Sequence, residues 1–232
     1  MARCLFMFLV LAGMSDSLAE AADPTPIQLA KGDKVVFFGD SITQAGSGPE
    51  GYLTVIKKAL DEKHKELGIE VINAGISGHR VPNLQHRLQR DVLSRKPNVV
   101  VIYIGINDVW HSGNGRGTPA PAYESGLKDL VTKIKAGGAK VVLCTPTVIG
   151  EKKDGANHFD KMLDQYSDIS RKVAVETEVP MVDLRKAFVE WLKQNNPKNA
   201  DKGLLTSDTV HLNKAGNALV AEKMLEGLGA GR

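Results

Sequence analysis

The chain has 232 residues, 42% hydrophobic and 25% charged, with 30 Lys and Arg against 27 Asp and Glu. That length and balance suit one globular domain with a sizeable core and exclude a low-complexity or disordered polypeptide. The formal net charge of +3 is mild and scattered, with no basic run interleaved with aromatics, so no nucleic-acid partner is expected.

The first expected element is a leader. Met1-Ala2-Arg3 is short and basic, Cys4 to Met14 is almost wholly apolar, and small residues follow in Ser17-Leu18-Ala19-Glu20-Ala21. This order predicts a secretory signal peptide over 1–21, cleaved after Ala19 or Ala21. A membrane-spanning helix needs about 20 apolar residues, roughly twice this run, so no stable membrane insertion is expected. Residues 22–232 are then expected as one secreted or periplasmic domain, its net charge raised to +4 by loss of Arg3, Asp16 and Glu20. Cys144 is the one cysteine left in it, inside apolar Val141-Val142-Leu143-Cys144, which predicts core packing and excludes an internal disulfide.

Past Pro24 and Pro26, short apolar runs alternate with segments of helical period. Strands are predicted at Lys34 to Phe38, Ile69 to Asn73, Val99 to Ile104, Ala139 to Cys144 and Met181 to Asp183. Leu53, Ile56, Leu60 and Leu67 line one face of a helix, and Phe159, Met162, Tyr166, Ile169 and Val173 line another. A last helix is predicted from Lys214 to Leu228. Continuous Val/Ile runs suit strands buried on both faces, so the expected fold is α/β, with about five parallel strands between helical layers. In such sheets ligands sit beyond the carboxyl ends of the strands, which directs attention to the loops there.

Three of those loops carry polar groups. Gly39-Asp40-Ser41 follows the first strand and presents a hydroxyl where a helix begins, although Ser41 or Thr43 could serve there as a helix cap. Asn73-Ala74-Gly75-Ile76-Ser77-Gly78 follows the second, where Gly75 can bring its amide near a substrate. Gly105-Ile106-Asn107-Asp108 follows the third, where the Asn107 amide is either a donor at the site or helix-capping material. A base is also needed, and three of the six histidines have an aspartate three residues earlier: Asp61/His64, Asp108/His111 and Asp208/His211. The first pair falls within the amphipathic helix and reads as surface neighbours. The loop settings favour His211 over His111 without deciding between them.

These four blocks, Gly39-Asp40-Ser41-Ile42-Thr43, the Asn73 to Gly78 loop, Gly105-x-Asn107-Asp108 and Asp208-x-x-His211-Leu212-Asn213, stand in the order and rough spacing of the SGNH (GDSL-like) hydrolase superfamily, which the chain resembles over most of residues 22–232. The resemblance implies a flavodoxin-like three-layer α/β/α fold, with neither a metal nor an organic cofactor. It implies Ser41 as nucleophile, His211 as base and Asp208 as its orienting partner. The amides of Ser41 and Gly75, with the Asn107 side chain, would form the oxyanion hole. Thr209 departs from the glycine common at its position. Asp40, Trp110 and His111 are expected on the substrate side, beside the Gly-rich Ser112 to Gly117 segment, and Glu151-Lys152-Lys153-Asp154 is read as a solvated turn.

The function expected is a secreted serine esterase acting on short-chain carboxylic esters through an acyl-enzyme, with small-molecule or polysaccharide esters as partners and carbohydrate acetylesterase as the natural role. Two alternatives stand beside it: a lysophospholipase or thioesterase for longer acyl chains, and a non-catalytic glycan-binding module. A nucleotide binder is disfavoured, because no phosphate-cradling glycine pattern with its lysine occurs.

Overall fold

The computed structural model describes residues 26–231, so the expected leader, 1–21, lies outside the described residues. Five strands form one parallel sheet: β1 (Lys34–Gly39), β2 (Glu70–Gly75), β3 (Val99–Tyr103), β4 (Lys140–Cys144) and β5 (Met181–Val182), in the order β2-β1-β3-β4-β5. The helices are α1 (Ser41–Ala45), α2 (Tyr52–Lys63), α3 (Val81–Asp91), α4 (Ile106–Trp110), α5 (Ala120–Ala136), α6 (Asp160–Glu176), α7 (Leu184–Asn195) and α8 (Lys214–Gly227). Contacts of α2 and α7 with α8, and of α3 and α6 with α5, define the two helical layers of a three-layer α/β/α fold.

Burial follows position in the sheet. Every residue of β3 is buried, as is β1 after Lys34, because both faces of these inner strands meet helices. The edge strand β2 is half-exposed along most of its length. Phe37, Phe38, Ile102 and Leu143 are at most 1% exposed, each contributing roughly 1.5–3 kcal/mol by leaving water. Cys144 is buried and free in this core, where burial pushes its thiol well above the ordinary range, as expected of a packing residue.

Two helical expectations shift. Leu67 does not extend α2: His64 leaves the helix at φ −135°, and Lys65–Leu67 forms a separate 3-10 turn ended by left-handed Gly68. In α6 the buried stripe runs through Leu163, Tyr166, Ser170 and Val173, leaving Met162 and Ile169 partly exposed on its flank.

Register aligns the strand ends. Gly39 at the end of β1 is level with Gly75 of β2 and Tyr103 of β3, so the three chains leave the sheet at one height. The strand order reverses about β1, and the crevice at such a switch point is where ligands bind in open α/β sheets.

Candidate active site

Ser41 is the first residue of α1, where the leading N–H groups of a helix lack intrahelical acceptors. Two close approaches hold it there. A Cβ on Gly39 would stand 2.2 Å from Thr43 Oγ1 and 2.5 Å from the Tyr103 carbonyl oxygen. One on Gly75 would stand 2.2 Å from the Gln44 nitrogen. Both glycines are therefore required by the seating of α1 on the sheet edge. Asn73 completes the clamp, its Nδ2 donating to the Thr43 carbonyl at 2.8 Å and to Ser47 Oγ at 2.8 Å.

The long loop between α7 and α8 brings the remaining groups to the same edge. His211 Nε2 lies 3.0 Å from Ser41 Oγ, and His211 Nδ1 lies 2.7 Å from Asp208 Oδ2. The other carboxylate oxygen, Oδ1, accepts from the amides of His211 at 2.7 Å and Val210 at 3.0 Å. Partial burial opposes ionisation of Asp208, but these donors prevail and hold its carboxyl below the ordinary range. An ionised carboxylate can only accept, so Nδ1 carries the proton and Nε2 is left free to take one from Ser41. Thr209 adopts φ +87°, a left-handed conformation that strains a β-branched residue by about 1–3 kcal/mol.

The other histidine pairs do not form. Asp108 is fully buried and its Oδ1 accepts from the Val81 amide at 3.0 Å, capping α3, while burial pushes its carboxyl up to about 6. His111 lies in the 3-10 turn after α4, its ring beside Trp110, with its pKa lowered by partial burial and by Arg116 and Arg80. Asp61 pairs with Lys57 instead of His64.

Gly75 and Asn107 place N–H donors at the carboxyl ends of β2 and β3. The Gly75 amide donates to Asn73 Oδ1 at 2.8 Å. Asn107, 3% exposed, donates one Nδ2 hydrogen to the His79 carbonyl at 3.1 Å and has a second N–H to offer.

Among the residues expected on the substrate side, Trp110 is 39% exposed at this edge. The Ser112 to Gly117 segment closes on the turn after α4, with the Arg116 amide donating to the His111 carbonyl. Asp40 corrects the expectation of a substrate contact: it is 2% exposed, and its Oδ1 accepts from the Ile42 amide at the start of α1. Burial, opposed by that amide and reinforced by Asp108, pushes the Asp40 carboxyl up to about 7. The unfolded chain releases this proton near the ordinary value of 3.8. Folded stability should therefore fall as pH rises from about 4 through 7, by up to roughly 4 kcal/mol. Asp40→Asn, which keeps the cap but cannot ionise, is expected to melt near the parent at about pH 4 and above it by a margin that grows up to about pH 7. A melting difference that does not vary with pH would reject this titration.

Two of the buried ionisable side chains that the sequence did not reveal bear on the site. Arg87, 3% exposed, donates to the Gly39 carbonyl at 2.7 Å and the Ala74 carbonyl at 2.8 Å, tying together the strand ends beneath Ser41 and Gly75. A lone Arg on a helix has no local signal for such a contact. Glu151, expected in a solvated turn, is 0% exposed, and its carboxylate accepts from the amides of Leu204, Leu205 and Thr206. Those donors lie more than 50 residues away, so its charged neighbours Lys152 and Lys153 dominate the local pattern. Among the described residues no group of three or more His, Cys, Asp or Glu is placed to hold a metal ion, and no helix is long and apolar enough to cross a membrane.

A parallel α/β/α sheet with a serine, a histidine and an aspartate in hydrogen-bonded series at its carboxyl edge has the architecture of a serine hydrolase. Residues 37–219 match the GDSL-like Lipase/Acylhydrolase family, and the chain belongs to that family. It is 34% identical over 220 residues to an acetylxylan esterase of Geobacillus stearothermophilus, covering 88% of this chain and 97% of that one. The crystal structure of an acetyl xylan esterase, AlAXEase, superposes with a TM-score of 0.82 at 45% identity, over 84% of this chain and 99% of that one. Solved structures of Axe2, the Geobacillus stearothermophilus acetylxylan esterase, match at a TM-score of 0.78 and 32% identity, over 88% of this chain and 97% of that one. They include catalytic mutants in which a serine, an aspartate or a histidine is replaced by alanine.

Proposed function

We propose that this protein is an exported carbohydrate acetylesterase that works through an acyl-enzyme on Ser41. The observation that carries the reading is the unbroken series Ser41 Oγ, His211 Nε2, His211 Nδ1 and Asp208 Oδ2, at 3.0 and 2.7 Å. The aspartate and histidine replaced in the Axe2 catalytic mutants stand three residues apart, as Asp208 and His211 do, which supports the same assignment here. Export is supported by the leader read in residues 1–21.

In the reaction proposed, Ser41 Oγ attacks the ester carbonyl carbon as its proton passes to His211 Nε2. The C–O bond to the alcohol then breaks, and Nε2 returns that proton to the departing oxygen. A water molecule attacks the acetyl-enzyme by the same route, giving up a proton to Nε2 as the new C–O bond forms. Acetate leaves, and the proton returns to Ser41. Asp208 keeps the imidazole in the productive tautomer and stabilises its charged form. The amides of Ser41 and Gly75 and the Asn107 side chain receive the oxyanion.

Trp110 is the one large hydrophobic group exposed at this edge; the others exposed among the described residues, Val175 and Val189, lie on α6 and α7. This sparse exposed apolar surface among the described residues supports a short acyl group over a long one. Hydrolysis of p-nitrophenyl acetate, butyrate and octanoate tests this, with kcat/KM expected to fall along the series and acetylated xylooligosaccharides expected to be deacetylated. A rise toward octanoate would replace this reading with the long-acyl one. Failure of a fluorophosphonate probe to label Ser41 would favour a binding module.

A further inference from the structure

We propose that Glu151 is the positioning residue of the Asp208–His211 pair, an anchor that sets where the histidine stands against Ser41. The proposal rests on the catalytic assignment of that pair.

The segment after β4 is a fixed platform. Thr147 Oγ1 lies 3.1 Å from the Tyr103 hydroxyl of β3, and the Thr147 carbonyl accepts from Arg185 at 3.2 Å. Arg185 is in turn held by Asp160 at 2.9 Å and Asp164 at 2.8 Å. Glu151 projects from the end of this platform into the base of the loop that carries Asp208 and His211. Its Oε1 accepts from the Leu205 amide at 2.8 Å, the Thr206 amide at 2.5 Å and the Thr206 hydroxyl at 2.7 Å, and its Oε2 accepts from the Leu204 amide at 2.9 Å. One buried carboxylate thus gathers three consecutive backbone N–H groups ending two residues before Asp208.

The loop above repeats the restraint. Thr206 bridges Leu212, and the Ser207 amide donates to the His211 carbonyl at 2.8 Å, closing a small ring of chain around the pair. Gly150, next to Glu151, donates its amide to the Thr209 carbonyl at 2.8 Å. Thr209 is the residue held at φ +87°, and such a conformation persists only where its surroundings over-determine it. The platform therefore grips the loop at its base and at its strained crest, on either side of Asp208. His211 stands 3.0 Å from a serine 170 residues away, an approach that depends on where this loop is fixed. A misplacement of about 1 Å at a reacting group costs on the order of 100-fold in rate.

The test compares the parent with Glu151→Gln, which keeps the volume but can place only one acceptor atom among these donors, and Thr206→Val, which removes a single donor. Glu151→Gln is expected to lower kcat for p-nitrophenyl acetate by about 10 to 100-fold with KM within about twofold, and Thr206→Val by a few-fold in the same manner. In the His211→Ala background Glu151→Gln should cost nothing further, since residues acting through one group are not additive. The proton NMR signal of His211 Nδ1–H, shared with Asp208, should broaden or vanish in folded Glu151→Gln and weaken in Thr206→Val. That signal is read without substrate, so it judges the anchor even if Ser41→Ala and His211→Ala retain turnover and the catalytic assignment fails. An unchanged His211 signal in both variants, or losses that multiply in the double variant, would overturn the proposal. Should Glu151→Gln not fold, Thr206→Val decides by the same two readouts.

Discussion

Ser41→Ala and His211→Ala are each expected to lower kcat for p-nitrophenyl acetate by roughly 10⁴-fold or more, while His111→Ala stays within about tenfold of the parent. The asymmetry between the histidines follows from position. His211 Nε2 is 3.0 Å from the serine oxygen, with its other nitrogen bound to a carboxylate. The His111 ring instead packs beside Trp110, and the aspartate three residues before it is buried as a cap on the Val81 amide. Without His211 the Ser41 proton has no acceptor, and without Ser41 the histidine has nothing to activate. The double variant should therefore be about as slow as either single one. Turnover measured on samples shown by circular dichroism to be folded makes the comparison. An inactive His111→Ala, with His211→Ala still active, would transfer the role of base to the other loop.

Loss of the Asn107 side chain should be the next largest effect, about 100 to 1000-fold in kcat for Asn107→Ala with KM little altered. Charge reaches the carbonyl oxygen only as the tetrahedral intermediate forms, so a donor aimed there stabilises the transition state more than the bound ester. Asn107 is suited to this because its amide carries two N–H groups and the His79 carbonyl takes only one. That same bond holds the side chain in place before substrate arrives. The Gly75 amide is already shared with Asn73 Oδ1, which leaves it the weaker donor and shifts the demand onto Asn107 and the Ser41 amide. Asn107→Asp retains the shape but replaces the donors with acceptors, so it should be at least as damaging as alanine at neutral pH. A loss of less than tenfold in Asn107→Ala would assign oxyanion stabilisation to the two backbone amides alone.

The strands and the serine were legible in the sequence because their signals are local. Val35 to Phe38, Val99 to Ile104 and Val141 to Cys144 are short apolar runs of the kind a doubly covered sheet demands, and each is buried. Gly39-Asp40-Ser41 could be read from its place after the first of them, while Asp208 with His211 shares its spacing with two other pairs and was singled out only by the family resemblance.

Whatever depended on partners distant in the chain was not legible. Asp40 looked like a substrate contact, yet it is 2% exposed and accepts from the Ile42 amide at the start of α1. Arg87 looked like an ordinary helical charge until the sheet brought the carbonyls of Gly39 and Ala74 within its reach. Of two histidines with identical local spacing, it is His211 that stands 3.0 Å from a serine 170 residues away, a proximity no local pattern encodes. Glu151, flanked by lysines, carried the pattern of a surface turn, because the amides that accept its burial belong to a loop more than 50 residues on. Local patterning determined the layers, the strands and the types of group at their carboxyl ends, since hydrophobic period and turn chemistry act between near neighbours. Which of those groups meet, and which charges are buried to hold them, was decided by tertiary structure, because a hydrogen bond between distant residues leaves no trace in the sequence around either one.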